Sequence, residues 1–292
     1  NLGVMLQELG RLEEAEATLR QAITLKPDYA EAHYNLGVML QELSRLDEAE
    51  ASYRQVILLK PDYTQAHSNL GNVLQELGRL EEAETSYTQA IVLRPDYADA
   101  HCNLGTMLEE MGRLDEAEAC YRIAISLKPD LVGAYSNLGN TLKELGKLEE
   151  AEASYRQAIV LKSNFSEAHI NLGNTLKELG RLEDAEASYI QAIVLEPDDA
   201  VGHSNLAITL QELGRLDEAE ASCRQAIVLK PDYAEAHYNL GIILQELGRL
   251  EEAEVSYRRA IALKPDFFMA HNNLGYTLRE LDRVDEAEVS VR

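Results

Sequence analysis

Carboxamides recur along this chain with a regularity that chemistry could use. Asn1, Asn35, Asn69, Asn103, Asn137, Asn171, Asn205, Asn239 and Asn273 stand 34 residues apart, and Asn72, Asn140 and Asn174 each follow three residues behind one of them. A carboxamide offers both a donor and an acceptor, so it can pair with a peptide group whatever side chain that peptide carries. Such a column suits the backbone of an extended segment. It could equally hydrogen-bond between neighbouring segments of its own chain and tie them together, and the sequence leaves both readings open. Lys143 and Lys177, three residues beyond Asn140 and Asn174, add cations that suit the acceptor groups or an acidic side chain of a ligand.

Other chemistry finds less support. His33, His67, His101, His169, His203, His237 and His271 share the same 34-residue spacing. One imidazole per period is too sparse for zinc, whose ligand atoms lie about 4 Å apart, so these side chains read as core-lining and no metal is expected. No glycine-rich phosphate loop, His-Glu-x-x-His helix or nucleophile elbow occurs. No catalytic residue and no cofactor is therefore expected. The 51 acidic residues outnumber 27 basic ones, for a net charge of −24, which disfavours duplex nucleic acid because phosphates must be neutralised by bases. No apolar run reaches the roughly 18–20 residues of a membrane span. Three scattered cysteines make no disulfide framework, and the expected compartment is a reducing, cytoplasmic one.

The elements that position these residues follow from the period itself. With Ala30 as position 1, a single solenoid over 1–292 divides into repeats 1–29 (partial), 30–63, 64–97, 98–131, 132–165, 166–199, 200–233, 234–267 and 268–292 (partial). All seven prolines fall at position 32, where Ser163 is the exception, and position 8 is glycine except at Ala207. Each repeat reads as two helices, A and B. Proline ends the previous helix, and Asp28 with Glu31 or Asp232 with Glu235 suggests a capping box at the start of helix A. Glycine at position 15 suits a left-handed C-terminal residue. Small residues at positions 8 and 20 let the two helices approach. On a helical wheel, positions 4, 7, 8 and 11 of helix A form the core stripe. Positions 2, 5, 6, 9, 12 and 13 are left for other uses.

The set Leu at position 7, Gly at 8, Ala at 20, Tyr at 24, Ala at 27 and Pro at 32 resembles the tetratricopeptide repeat over the whole chain. The usual Trp at position 4 is replaced by His or by Tyr135. The resemblance implies an all-α fold, a right-handed α-α superhelix of helix pairs with the A helices on its concave side. It also implies a non-enzymatic protein–protein interaction scaffold whose partner is a protein or peptide in extended conformation. The Asn-Leu-Gly-Asn runs at 69–72, 137–140 and 171–174 are similar to those in the repeat arm of O-linked N-acetylglucosamine transferases, where an asparagine ladder holds the substrate backbone. The alternative implied is a substrate-recruiting arm of a larger glycosyltransferase. Glutamate at position 13 is usually followed three residues later by Arg or Lys, as with Arg45 and Arg79, so local ion pairing is expected there. An acidic wall for a basic peptide is the other possibility. Neither end carries a polar cap, which leaves head-to-tail self-association open.

Overall fold

The computed structural model describes residues 12–290. Asn1, and the two ends on which head-to-tail association would depend, lie outside the described residues. The described residues form seventeen α-helices and no strand, grouped into two compact units that divide between Leu145 and Gly146. The first unit holds α1 (Leu12–Leu25), α2 (Ala30–Glu42), α3 (Leu46–Leu59), α4 (Thr64–Glu76), α5 (Leu80–Leu93), α6 (Ala98–Glu110), α7 (Leu114–Leu127) and α8 (Val132–Glu144). The second holds α9 (Leu148–Leu161), α10 (Ser166–Glu178), α11 (Leu182–Leu195), α12 (Ala200–Glu212), α13 (Leu216–Leu229), α14 (Ala234–Glu246), α15 (Leu250–Leu263), α16 (Phe268–Glu280) and α17 (Val284–Ser290). Even-numbered members up to α16 are A helices and odd-numbered ones are B helices. Within each unit every helix packs on the next in chain order.

The core is built from the apolar stripes of both helix types. In α3, Ala49, Tyr53 and Val56 are fully buried, and their spacing of four and three keeps them on one face. In α2, which packs on α3, Ala32, Leu36, Met39 and Leu40 are buried as well. The position-8 glycine closely approaches the position-24 tyrosine. A Cβ on Gly37 would sit 2.8 Å from Cε1 of Tyr53, and one on Gly71, Gly173 or Gly241 would sit 2.6, 2.6 or 2.5 Å from the corresponding ring atom of Tyr87, Tyr189 or Tyr257. The glycine therefore makes room for the tyrosine ring more than for the position-20 alanine. The one repeat with Ala207 at this position carries Cys223 in place of the tyrosine, and both are buried. A smaller side chain opposite permits the extra methyl.

Turns between helices A and B close on a left-handed residue. Gly78 has φ 74°, and Ser44 and Asp282 adopt φ 56° and 59° at the same position of their repeats. Gly78 N–H donates to Gln75 O and Arg79 N–H to Leu74 O, both at 2.8 Å, the paired closure of a Schellman motif.

The capping boxes do not form. Helix A begins one residue later than such a box requires, so its N-cap is Tyr29, Tyr63, Tyr97 or Tyr233, with no side-chain cap bond. Where an aspartate does occupy that later position, Asp199 accepts from the N–H groups of Val201 and Gly202 at 3.0 and 3.1 Å. Glu31 and Glu235 pair instead with Lys60 at 2.5 Å and Lys264 at 3.2 Å.

The histidines latch the turn that precedes them. The ring Nε2 of His33, His67, His101, His203, His237 and His271 lies 2.9–3.2 Å from the carbonyl of Pro27, Pro61, Pro95, Pro197, Pro231 and Pro265. A second staple crosses the B helices. Arg79 pairs with Glu82 in its own repeat at 2.7 Å and with Glu50 of the preceding one at 2.8 Å, and Arg45, Arg215, Arg249 and Arg283 repeat the pattern. Spacing predicts that these arginines pair with the position-13 glutamates; the ion pairs of their forks run instead to two helix B glutamates, one in their own repeat and one in the preceding repeat.

The ring contact gives a direct test. Cys223→Tyr against Ala207 should overpack the helix pair and cost about 1–3 kcal/mol, read as a lowered denaturation midpoint, and Ala207→Gly in the same chain should recover most of it. A single variant as stable as the parent would mean that the helices do not approach as described.

Candidate peptide-binding site

Positions 2, 6, 9, 12 and 13 lie on the side of helix A away from the core stripe, and position 5 borders the core: Ser68, Ser136, Ser204 and Tyr238 are buried there. Asn35, Asn69, Asn72, Asn103, Asn137, Asn140 and Lys143 in the first unit are half-buried, as are Asn171, Asn174, Lys177, Asn205 and Asn239 in the second. They stand on consecutive A helices within each unit.

The position-6 amides are tied to the preceding repeat through their nitrogen. Asn103 Nδ2 donates to Asn72 Oδ1 at 2.9 Å, Asn137 Nδ2 to Thr106 Oγ1 at 3.3 Å and Asn205 Nδ2 to Asn174 Oδ1 at 3.3 Å. Where position 9 offers no acceptor, position 5 does. Asn69 and Asn239 then donate to Tyr34 Oη at 3.1 Å and Ser204 Oγ at 3.2 Å. The carboxamide column thus joins neighbouring repeats, one of the two roles left open by its spacing.

The joining uses half of each amide. Oδ1 of Asn69, Asn103, Asn137, Asn205 and Asn239 has no hydrogen-bond partner among the described residues. Asn72 and Asn174 are the complement. Their Oδ1 accepts from Tyr87 at 2.8 Å and Tyr189 at 2.7 Å as well as from the next asparagine, while their Nδ2 has no partner among the described residues. An acceptor on Asn103 and a donor on Asn72 therefore stand side by side, and Asn205 with Asn174 repeats the pair in the second unit. In the first unit they line an open hollow of about 370 Å³ with Gln41, Gln75, Tyr87 and Thr106.

The tyrosine hydroxyls are the atoms of this hydrogen-bond network that sequence reasoning missed. Their rings are buried, yet Tyr87 also reaches Gln75 Oε1 at 2.9 Å and Tyr257 reaches Gln245 Oε1 at 2.9 Å. Burial raises the pKa of these phenols, so they remain neutral donors. The signal was the column's composition: six tyrosines and no phenylalanine at a packed position. Burial pushes the thiol of Cys223 up to about 12 and those of Cys102 and Cys120 to about 11, which favours the protonated form. No group of three metal-ligating side chains, and no helix long and apolar enough to cross a membrane, occurs among the described residues.

The exposed position-13 glutamates take their partners from position 12 of the preceding repeat. Gln41 donates to Glu76 at 2.8 Å, Gln75 to Glu110 at 2.6 Å and Gln211 to Glu246 at 2.5 Å, and Lys177 Nζ lies 3.7 Å from Glu212. Glu109 breaks this series because a carboxylate has no proton to give. Its pKa is raised, chiefly by burial and further by the charge of Glu144, against the bond from Tyr121. A raised carboxyl pKa means that the folded state binds the proton more tightly, so ionised Glu109 costs stability above that pKa and the cost fades as the pH falls. Glu109→Gln should accordingly raise the melting temperature at pH 7, with the gain shrinking as the pH falls through the raised pKa. An equal gain at pH 7 and at a pH below the raised pKa would assign it to packing.

The family model described as the Cilia and flagella-associated protein 70 C-terminal domain matches residues 97–292. Three tetratricopeptide-repeat models match residues 3–44, 30–63 and 62–130. Among solved structures the chain is similar to YrrB, described as a TPR protein with an unusual peptide-binding site, at 25% identity and TM-score 0.54 over 63% of this chain and 95% of that one. It is also similar to a chain of the APC/C hetero-tetramer Cut9-Hcn1, at 17% identity and TM-score 0.63 over 94% of this chain and 54% of that one. Pseudomonas aeruginosa pilF gives 20% identity and TM-score 0.63 over 71% and 94%. The last two bear on the fold alone. No curated protein matches the chain. Helix pairs of 34 residues, glycine seated on tyrosine and the family matches converge: the chain belongs to the tetratricopeptide-repeat proteins and, over residues 97–292, to the family described as the Cilia and flagella-associated protein 70 C-terminal domain.

Proposed function

We propose that the A-helix face of each unit holds an extended peptide segment of a partner protein, and that the chain is a non-enzymatic interaction scaffold. One observation carries the reading: each repeat junction at Asn72–Asn103 and Asn174–Asn205 leaves one amide acceptor and one amide donor unpaired and adjacent. A peptide group presents the complementary donor and acceptor. Neighbouring A helices stand roughly 8–10 Å apart and an extended chain advances about 3.3 Å per residue, so one junction meets every third residue. The described peptide-binding site of YrrB supports the same use of a similar fold. Asn140 with Lys143 on α8, and Asn174 with Lys177 on α10, would take acceptor groups or an acidic side chain of the segment. Lys177 would then exchange its long contact with Glu212 for the ligand. The alternative, a recruiting arm of a larger glycosyltransferase, has no geometric observation of its own, and the scaffold is the reading retained.

The test separates the two halves of the amide. Asn72→Asp and Asn174→Asp keep the oxygen that accepts from tyrosine and from the next asparagine, and put a charged carboxylate oxygen in place of the unpaired donor. An uncharged extended peptide selected from a random library on the parent chain should bind the double variant about tenfold more weakly, a loss of about 1.4 kcal/mol, while the melting temperature changes little. Unchanged affinity, measured by fluorescence anisotropy, would remove the ladder from the binding role.

A further inference from the structure

In the second unit, position 9 changes character along the A helices: Asn174 is followed by Ile208 on α12, Ile242 on α14 and Tyr276 on α16. Ile208 and Ile242 are half-buried and Tyr276 is 56% exposed. They occupy the place from which Asn174 receives the next repeat's amide, so three successive rungs present apolar surface. One helical turn further on, the exposed Glu212, Glu246 and Glu280 accompany them. Position 12 of these three repeats holds Gln211, Gln245 and one base, Arg279, and Lys177 of the repeat before lies 3.7 Å from Glu212, so acid still outweighs base along the strip.

We propose that this strip selects a partner segment that carries an apolar side chain at every third residue with lysine or arginine between, bound in the polyproline II conformation. The proposal rests on the peptide-binding reading above and names the class of ligand. A β-strand turns successive side chains to opposite faces, so every third residue would alternate sides. Polyproline II has three residues per turn and rises about 3.1 Å per residue, which places every third side chain on one face about 9.3 Å apart. That repeat fits the roughly 8–10 Å between neighbouring helices. Charge fixes the rest of the partner, because three exposed carboxylates beside the strip favour bases. A second copy of this chain, at −24, would be repelled.

The probe is a nine-residue peptide of three Leu-Lys-Ser triplets, with two controls: the same residues reordered so that leucine falls at every second place, and the peptide with serine for leucine. Binding is read by anisotropy on the full chain. The triplet peptide should bind at least tenfold more tightly than either control. Ile208→Asn with Ile242→Asn, which installs a residue already present at position 9 of other repeats, should bring it down to the serine control. Equal binding of the triplet peptide by parent and variant would overturn the proposal, as would a preference for the alternate spacing. If the serine control binds and leucine adds nothing, the apolar strip is rejected while the amide ladder stands. If no peptide binds, both fall. Light scattering that shows a dimer released by the variant would make the occupant a second copy and also overturn it.

Discussion

A stretch of helix A backbone, bared by glycine, lies on the face of a buried tyrosine ring, and this contact sets how closely the two helices of a repeat can stand. Gly241 leaves no room for a methyl, since its Cβ would be 2.5 Å from the Tyr257 ring. Protein interiors are packed densely enough that such a conflict must move something. The chain contains its own control. Ala207 and Cys223 are both exceptional and they occur in the same repeat, so the methyl gained on one helix is matched by the ring lost on the other.

The same tyrosine carries the fold to the surface. Its ring is in the core and its hydroxyl reaches the open side of helix A, where Asn72 or Asn174 accepts it. That bond fixes which end of the amide turns inward, and the next repeat's asparagine donates to the same oxygen. Core packing, repeat-to-repeat cohesion and the orientation of the outward amide atoms are thus one connected network. The histidine latches add cohesion at the turn before helix A, and the arginine forks at the turn between helices A and B. Exposed ion pairs contribute about 0–1 kcal/mol each, but a repeat array sums such terms over every interface, so modest bonds copied at each junction suffice.

The period, the helix pairs and the two glycine positions were legible because each is a backbone constraint that admits few residue types. The capping box was misread for a geometric reason: Asp28 lies one residue too early, inside the turn that Tyr29 N–H closes on Lys26 O. A spacing rule cannot see a shift of one residue in where a helix begins. The arginine partners were misread similarly. Spacing along one helix pairs Arg79 with Glu76, whereas the fold brings Glu50 from the preceding repeat. The asparagine column was legible as a column and ambiguous as a role. Two readings were open because an amide has two ends, and the structure assigns the nitrogen end of Asn103, Asn137 and Asn205 to cohesion.

An amide ladder that reads only backbone cannot by itself distinguish partners, because every peptide offers the same groups. Discrimination must come from the positions beside it that vary between repeats. Positions 6 and 13 are invariant here, and positions 9 and 12 change: Val38, Asn72, Thr106 and Asn140 in the first unit, Asn174, Ile208, Ile242 and Tyr276 in the second. Neither of these positions is needed for the glycine–tyrosine contact, and where position 9 gives no acceptor the asparagine turns to Ser204 or Tyr238 at position 5. The network can therefore tolerate substitution at position 9 without losing its inter-repeat bond. Cohesion held by invariant residues and variation left to replaceable ones is the division of labour that lets near-identical repeats differ in the surface each presents within its unit.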